Sequence, residues 1–255
     1  MRRHMLLRLN EVGLTFSQDG TTPFTALKNI SFHVNTGEFV SIVGPSGCGK
    51  TSLLRLVSGT IQPSAGQIER APELREKRRI GIVFQEPVLL PWRSAESNVQ
   101  LPLEIIRCSE GEIPGRVAGA LETVSLSSFA KYLPRQLSGG MQQRVAIARA
   151  LVTDPPILLM DEPFSALDTF SREAFITELE SIWARTAKTV MFVTHSISEA
   201  VMLSDRVLVM TPNPGTILDA VCVELPRPRT DAVRDSIAFA DYCGIIRRLL
   251  KPKST

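Results

Sequence analysis

The sequence predicts an α/β fold: a parallel sheet covered by helices, opened by antiparallel strands and interrupted by a purely helical stretch. Three observations predict it. Short runs rich in branched apolar residues recur at 80–84, 157–160, 189–194 and 206–210. Helical spacing falls between some of them, at 171–184 and 196–203, the alternation of a sheet covered on both faces. A further nearly continuous apolar run, 38–43, leads through a glycine-rich turn into the helix-like segment 51–57.

Taken in order, 6–16 and 30–34 alternate as half-buried strands on either side of the turn-rich segment 17–23, so the chain opens with antiparallel pairing. The strand–turn–helix at 38–57 follows. From about 87 to 150 strand signals vanish and amphipathic helical spacing takes over, with breaks expected at Pro91, Pro102, Pro114 and Pro134. This reads as an inserted helical subdomain. The remaining strands and helices return to the α/β pattern up to about 225. Pro226-Arg227-Pro228-Arg229 reads as a linker-like turn before a basic helix ending Ile246-Arg247-Arg248-Leu249-Leu250-Lys251, expected to be a solvated terminal helix rather than a membrane-surface contact.

With 255 residues, 44% of them apolar, the chain can bury one large core or two modest ones sharing an interface. A net charge of +3 is too mild for a nucleic-acid footprint. Cys48, Cys108, Cys222 and Cys243 lie far apart and outside any metal spacing, which points to a reducing compartment. Met1-Arg2-Arg3-His4 resembles the charged start of a signal peptide, but Arg8 stops the apolar run Met5-Leu6-Leu7 too soon. Apolar runs such as 157–160 and 207–210 fall far short of the ~20 residues of a spanning helix, so any membrane role is expected to be peripheral.

Gly44-Pro45-Ser46-Gly47-Cys48-Gly49-Lys50-Thr51 fits GxxxxGK[ST] between a predicted strand and a predicted helix. Glycines let backbone N–H groups turn inward around phosphates, the helix start adds a favourable dipole, Lys50 reaches the terminal phosphates and the Thr51 hydroxyl can ligate Mg²⁺. The strand 157–160 delivers Asp161-Glu162 at its carboxyl end, the edge where open α/β sheets bind ligands. There Asp161 would hold the Mg²⁺ shell and Glu162 would polarise the attacking water. Alone, such an acidic pair reads as a solvated turn, and the phosphate loop reverses that. His195 and Gln85 each end a predicted strand: His195 reads as a structural histidine or one that reaches a γ-phosphate, and Gln85 as an ordinary strand-end glutamine or one that senses Mg²⁺ and the attacking water. Leu137-Ser138-Gly139-Gly140-Met141-Gln142-Gln143-Arg144 looks like a second phosphate-binding helix start, or simply an N-cap with a flexible turn.

In this order, these pieces are similar to the whole motif set of the ATP-binding-cassette (ABC) family, over nearly the full chain. Walker A corresponds to Gly44 through Thr51, with Ser52 following; the Q-loop to Gln85; the signature to Leu137 through Gln142; Walker B to Ile157 through Asp161 with catalytic Glu162; the D-loop to Ser165-Ala166-Leu167-Asp168; and the H-loop to His195. The resemblance implies a RecA-like P-loop core, an N-terminal antiparallel β subdomain, an inserted α-helical subdomain, and ATP with Mg²⁺. It also implies a dimer, expected to be a homodimer, in which ATP closes between Walker A of one subunit and Ser138, Gly139 and Gly140 of the other. Phe16 sits where the family's adenine-stacking aromatic belongs. Thr51-Ser52 reverses the commoner serine–threonine order and keeps the hydroxyl.

Within the family the phrasing Val83-Phe84-Gln85-Glu86-Pro87-Val88-Leu89-Leu90-Pro91-Trp92 and Met210-Thr211-Pro212-Asn213-Pro214-Gly215 resembles importer subunits of the nitrate, sulfonate and taurine type. Importers of bicarbonate or of aromatic and pyrimidine-like solutes share such phrasing. The implied partners are a second ATPase subunit, an integral membrane permease docked around Gln85, Pro87, Leu89, Leu90 and Trp92, and, indirectly, a periplasmic or extracellular solute-binding protein. No nucleic acid is implied, and the expected place is the cytoplasmic face of the membrane. Soluble ABC ATPases acting on DNA or ribosomes usually carry coiled-coil arms, zinc modules or a second cassette. A P-loop kinase would leave the signature segment without a purpose.

Overall fold

The computed structural model describes residues 4–17, 22–74, 80–165 and 167–251. Residues 18–21 of the expected opening turn and Ala166 of the expected D-loop lie outside them. The chain divides into two compact units, Met1–Lys77 with Lys188–Thr255, and Arg78–Ala187.

In the first unit, β1 (Met5–Phe16) and β2 (Phe24–Asn35) pair antiparallel, with Leu9 opposite Phe32. Their alternation buries Leu7, Leu9, Val12, Ile30 and Val34 on one side of a half-covered sheet. The second strand runs well beyond the expected 30–34. A second sheet holds β3 (Phe39–Val43), which pairs in parallel with both β7 (Thr189–Thr194) and β8 (Arg206–Thr211). All five residues of β3 and all six of β7 are buried, which is why they read as continuous apolar runs rather than as alternation. Each fully buried Val, Ile or Phe there contributes about 1.5–3 kcal/mol.

Two strands escape the sequence reading. β4 (Ala65–Arg70) pairs antiparallel with the free side of β1, and β9 (Thr216–Cys222) pairs antiparallel with β8, giving the orders β2-β1-β4 and β7-β3-β8-β9. Helix α1 (Lys50–Ser58) follows β3 and α6 (Ile197–Leu203) follows β7.

The chain's end departs from expectation. Arg229 is not part of a linker: it is 1% exposed, and its guanidinium donates to the carbonyls of Val201 at 2.8 Å, Ser204 at 2.7 Å and Val223 at 3.1 Å. Arg227 donates to Leu203 O at 2.7 Å and to Asp205 Oδ1 at 2.9 Å. The last carbonyls of a helix have no partner within it, so two cations at that end meet both a hydrogen-bonding need and the helix dipole. After the short α7 (Asp231–Arg234), α8 (Ile237–Leu250) buries Phe239, Cys243 and Ile246 and packs on α6 and β8, so it is solvated on one face only.

In the second unit, β5 (Ile80–Val83) and β6 (Ile157–Asp161) pair in parallel, Gly81 beside Leu158. Between them run α2 (Ala95–Ile105), α3 (Ile113–Thr123) and α4 (Gly139–Leu151), with no strand among the described residues; α5 (Thr169–Thr186) follows β6. Pro114 stands in the first turn of α3, where its missing N–H costs nothing. Pro102 does not break the chain as expected; it lies inside α2, near the end, where little helix remains to be interrupted. Among the described residues no helix is long and apolar enough to cross a membrane.

Candidate functional site

The residues singled out in the sequence fall in both units. In the first, β3 ends at Val43 and the chain turns through Gly44–Gly49 into α1. Gly47 and Gly49 take φ of 78° and 97°, in the left-handed region where a side chain is strained. A Cβ on Gly44 would stand 2.7 Å from Cys48 Sγ, and one on Gly49 would stand 2.5 Å from Leu27 Cδ2, whereas a Cβ on Gly47 would meet nothing within 4 Å. The loop thus has a packed back and an open front. Cys48 is buried in the back, while Pro45, Ser46 and Gly47 are exposed in front.

Gly49 caps α1 with no side-chain hydrogen bond. Lys50, 6% exposed, folds over the loop and donates from Nζ to Gly44 O at 2.9 Å and Pro45 O at 3.0 Å. Thr51 is exposed beside it and Ser52 half-buried. An ammonium held over backbone that turns at glycines is a fitting cradle for phosphate groups. Gly215, read in the sequence only as the end of the importer-type segment 210–215, backs this loop: a Cβ there would collide with Cys48 O. Phe16 is 48% exposed at the end of β1, paired in register with Phe24. His195 is exposed immediately after β7, and Ser196 begins α6 by accepting the Glu199 N–H at 3.4 Å.

In the second unit Asp161 ends β6 half-buried, and Glu162 follows with φ of 44°, an uncommon conformation for a residue with a side chain. Its carbonyl accepts the Ser165 N–H at 3.1 Å. Phe164, edge-on to Phe175 at 5.4 Å, anchors this turn in the core. Asp168 N-caps α5, its Oδ1 accepting the Ser171 N–H at 3.0 Å.

Ser138 N-caps α4, accepting the Met141 N–H at 3.3 Å. Ser138, Gly139 and Gly140 share an open pocket of about 330 Å³ with Asp168, Arg144 and Phe175. Arg144 is paired with Glu178 at 2.6 Å and lies 5.6 Å from the Phe175 ring centre. The heads of α4 and α5 therefore meet at one concave surface, which joins the signature residues to Asp168.

Gln85 is exposed just past β5. The segment after it is tied to α4: Gln143 Nε2 donates to Phe84 O at 3.2 Å, and the Arg149 guanidinium donates to Pro87 O and Val88 O, both at 2.8 Å. Burial lowers the pKa of Arg149 from its ordinary value. Asn98, fully buried, accepts the Leu90 N–H at 2.8 Å and donates to the carbonyls of Arg93 and Ser94. Beside this segment lies an apolar groove of about 400 Å³ lined by Phe84, Val88, Leu101 and Ile105 among others. Trp92 is 73% exposed, but Leu89 and Leu90, expected on the exposed surface, are half-buried.

Residues 27–165 match the family model described as ABC transporter. The chain is 42% identical over 231 residues to an aliphatic sulfonates import ATP-binding protein of Bacillus cereus, covering 89% of each. It is 41% identical over 240 residues to a nitrate import ATP-binding protein of Synechocystis, covering 90% of each. It is also similar to an ATP-binding cassette solved as a dimer in a post-hydrolysis state bound to ADP and Pi, with a TM-score of 0.72 and 35% identity over 86% of this chain and 99% of that one. The chain therefore belongs to the ABC transporter family, and its α/β fold is that of an ATP-binding ATPase cassette.

Proposed function

We propose that this protein is the ATP-hydrolysing subunit of an ABC importer, driving uptake of a small solute through a separate membrane permease. The observation that carries this reading is the loop from Gly44 to Thr51, with its open front, packed back and Lys50 ammonium held across it. Bound Mg²⁺ and ATP would supply the phosphoanhydride whose cleavage releases the driving free energy.

In this reading Gly44 through Ser52 hold the phosphates and Phe16 stacks on the base. Mg²⁺ takes one or two carboxylates beside phosphates and water, and the Asp161 carboxylate, with the Thr51 hydroxyl and the Gln85 amide oxygen, would supply the protein's share. Glu162 accepts a proton from the attacking water, and His195 orients that water or the γ-phosphate. The pocket at Ser138, Gly139, Gly140 and Asp168 completes the nucleotide site of a second copy; a similar cassette is solved as a dimer bound to ADP and Pi. Nucleotide touching both copies only when they are closed would shift the equilibrium towards closure by its differential affinity.

The apolar groove beside Phe84 and Val88 is the docking place for a permease segment. Its ties through Gln143 and Arg149 would pass motion between Gln85 and the head of α4. The cassette then lies on the cytoplasmic face of the membrane, bound peripherally, with a solute-binding protein across it. Residues 1–225 form the cassette, 87–150 its helical subdomain, and 226–255 an extension. The names of the relatives favour a nitrate or sulfonate solute.

Glu162→Gln tests the reading directly: ATP should remain bound, hydrolysis should stop, and gel filtration with ATP should show a stable dimer. Hydrolysis at the parental rate removes Glu162 from its role. The solute would be identified by purifying the membrane complex and finding which candidate raises its ATPase rate.

A further inference from the structure

Glu199 is a carboxylate only 4% exposed, four residues beyond His195, and the hydrolytic scheme above gives it no task. Ser196 to Glu199 has the S-x-x-E spacing of a capping box. In that motif the serine hydroxyl takes the N–H of the glutamate, and the glutamate side chain reaches back to the N–H of the serine. Only the first half forms here. The Ser196 N–H goes instead to Thr194 Oγ1 at 3.0 Å, and that same oxygen stands 2.5 Å from Glu199 Oε2. The Thr194 hydroxyl is interposed: its proton points to the carboxylate, and a lone pair takes the Ser196 amide.

The bond from the Ser196 N–H to the Thr194 hydroxyl joins the two neighbours of His195, one on either side. Thr194 is 1% exposed, yet His195 between them is exposed. A side chain presented from a corner bonded on both flanks is already ordered when its reaction partner arrives. The far end of α6 is held as well, by Arg227 and Arg229 on its last carbonyls, so the helix carrying Glu199 is fixed at both ends.

We propose that Glu199 is a positioning residue for His195, acting through the Thr194 hydroxyl. This rests on the reading of His195 as a residue of the hydrolytic site. The full-length chain, assayed for kcat, KM for ATP and ATP affinity, tests it with Thr194→Val, Thr194→Ser, Glu199→Ala, Glu199→Gln, His195→Ala and the double variant Thr194→Val/His195→Ala.

Losing the hydroxyl or the acceptor should lower kcat about tenfold with KM and ATP affinity nearly unchanged. Thr194→Ser and Glu199→Gln, which keep the bond, should retain at least half the parental kcat. The double variant should be no slower than His195→Ala alone, because both changes remove the same contribution. Thermal unfolding identifies any variant that fails to fold. Parental kcat in Thr194→Val, or a Thr194→Val loss that multiplies in full onto His195→Ala, overturns the proposal while leaving the role of His195 intact. Parental hydrolysis by His195→Ala overturns that role, and the proposal with it.

Discussion

At the head of α1 the chain turns through Gly49 in the left-handed region, uses no side-chain cap, and brings its own cation, Lys50, over the turn. At the head of α4 the N-cap is Ser138, extended, with its hydroxyl oxygen accepting the Met141 N–H; Gly139 and Gly140 follow. The nearest cation in that pocket, Arg144, is engaged by Glu178 and by the Phe175 ring. A helix start by itself contributes about 0.3–1 kcal/mol to holding an anion, whereas hydrogen bonds from a charged donor contribute about 1.5–3 kcal/mol each. On the reading proposed above, the first head holds the triphosphate by itself. The second offers a dipole, a hydroxyl and room, which suits it to completing a site whose phosphates are already held elsewhere.

Lys50→Ala should therefore have the largest effect. Losing about 3 kcal/mol weakens ATP binding by roughly a hundredfold, and calorimetry that finds unchanged affinity would erase the distinction between the two heads. Ser138→Arg should act differently: the longer side chain fills the open pocket, ATPase turnover is lost, and ATP affinity of the single subunit stays within about twofold of the parent. Weakened binding of equal size in both variants would mean that the two heads serve one subunit rather than two. Ser138→Ala is milder. Removing the cap costs about 1 kcal/mol and lowers the melting temperature by about 2–4 °C; no change in melting would show that the hydroxyl is not needed by its own helix.

The head of α1 was legible because a glycine run and a GK[ST] triplet follow β3, an apolar strand buried on every residue, and the head of α4 because Ser138-Gly139-Gly140 precedes helical spacing. The missed strands lack that signal. β4 reads Ala-Gly-Gln-Ile-Glu-Arg, with Ile68 its only large apolar residue, and β9 is an edge strand with every side chain partly or fully exposed; their place is set by β1 and β8, through pairings that no local pattern announces. Arg229 read as a linker residue because its carbonyl partners lie at 201–204 and 223–225, outside any local pattern. Thr194 and Glu199 were overlooked although the S-x-x-E spacing was present, since that spacing ordinarily announces only a helix start.

The hold on Arg144 can be sharpened by pH. Burial raises the pKa of Glu178 above the ordinary 4.5, and Arg144 and Arg185 only partly oppose it. The folded chain then binds this proton more tightly than the unfolded chain does, so the group's stabilisation is complete below about 4.5 and is lost as pH rises through the raised folded value. In denaturant unfolding at successive pH values from about 4 to 7, wild type should lose ground to Glu178→Gln as pH rises. The effect is expected to be the smallest of the four. It also decides how firmly the α4 head keeps its cation. If wild type instead gains on Glu178→Gln with rising pH, the attraction between Arg144 and Glu178 outweighs the cost of burying the carboxylate, and the arginine is locked to its own subunit. If the expected slope is found, the charged pair is held against a burial penalty, and an incoming anion at Ser138 competes with a weak partner for the arginine.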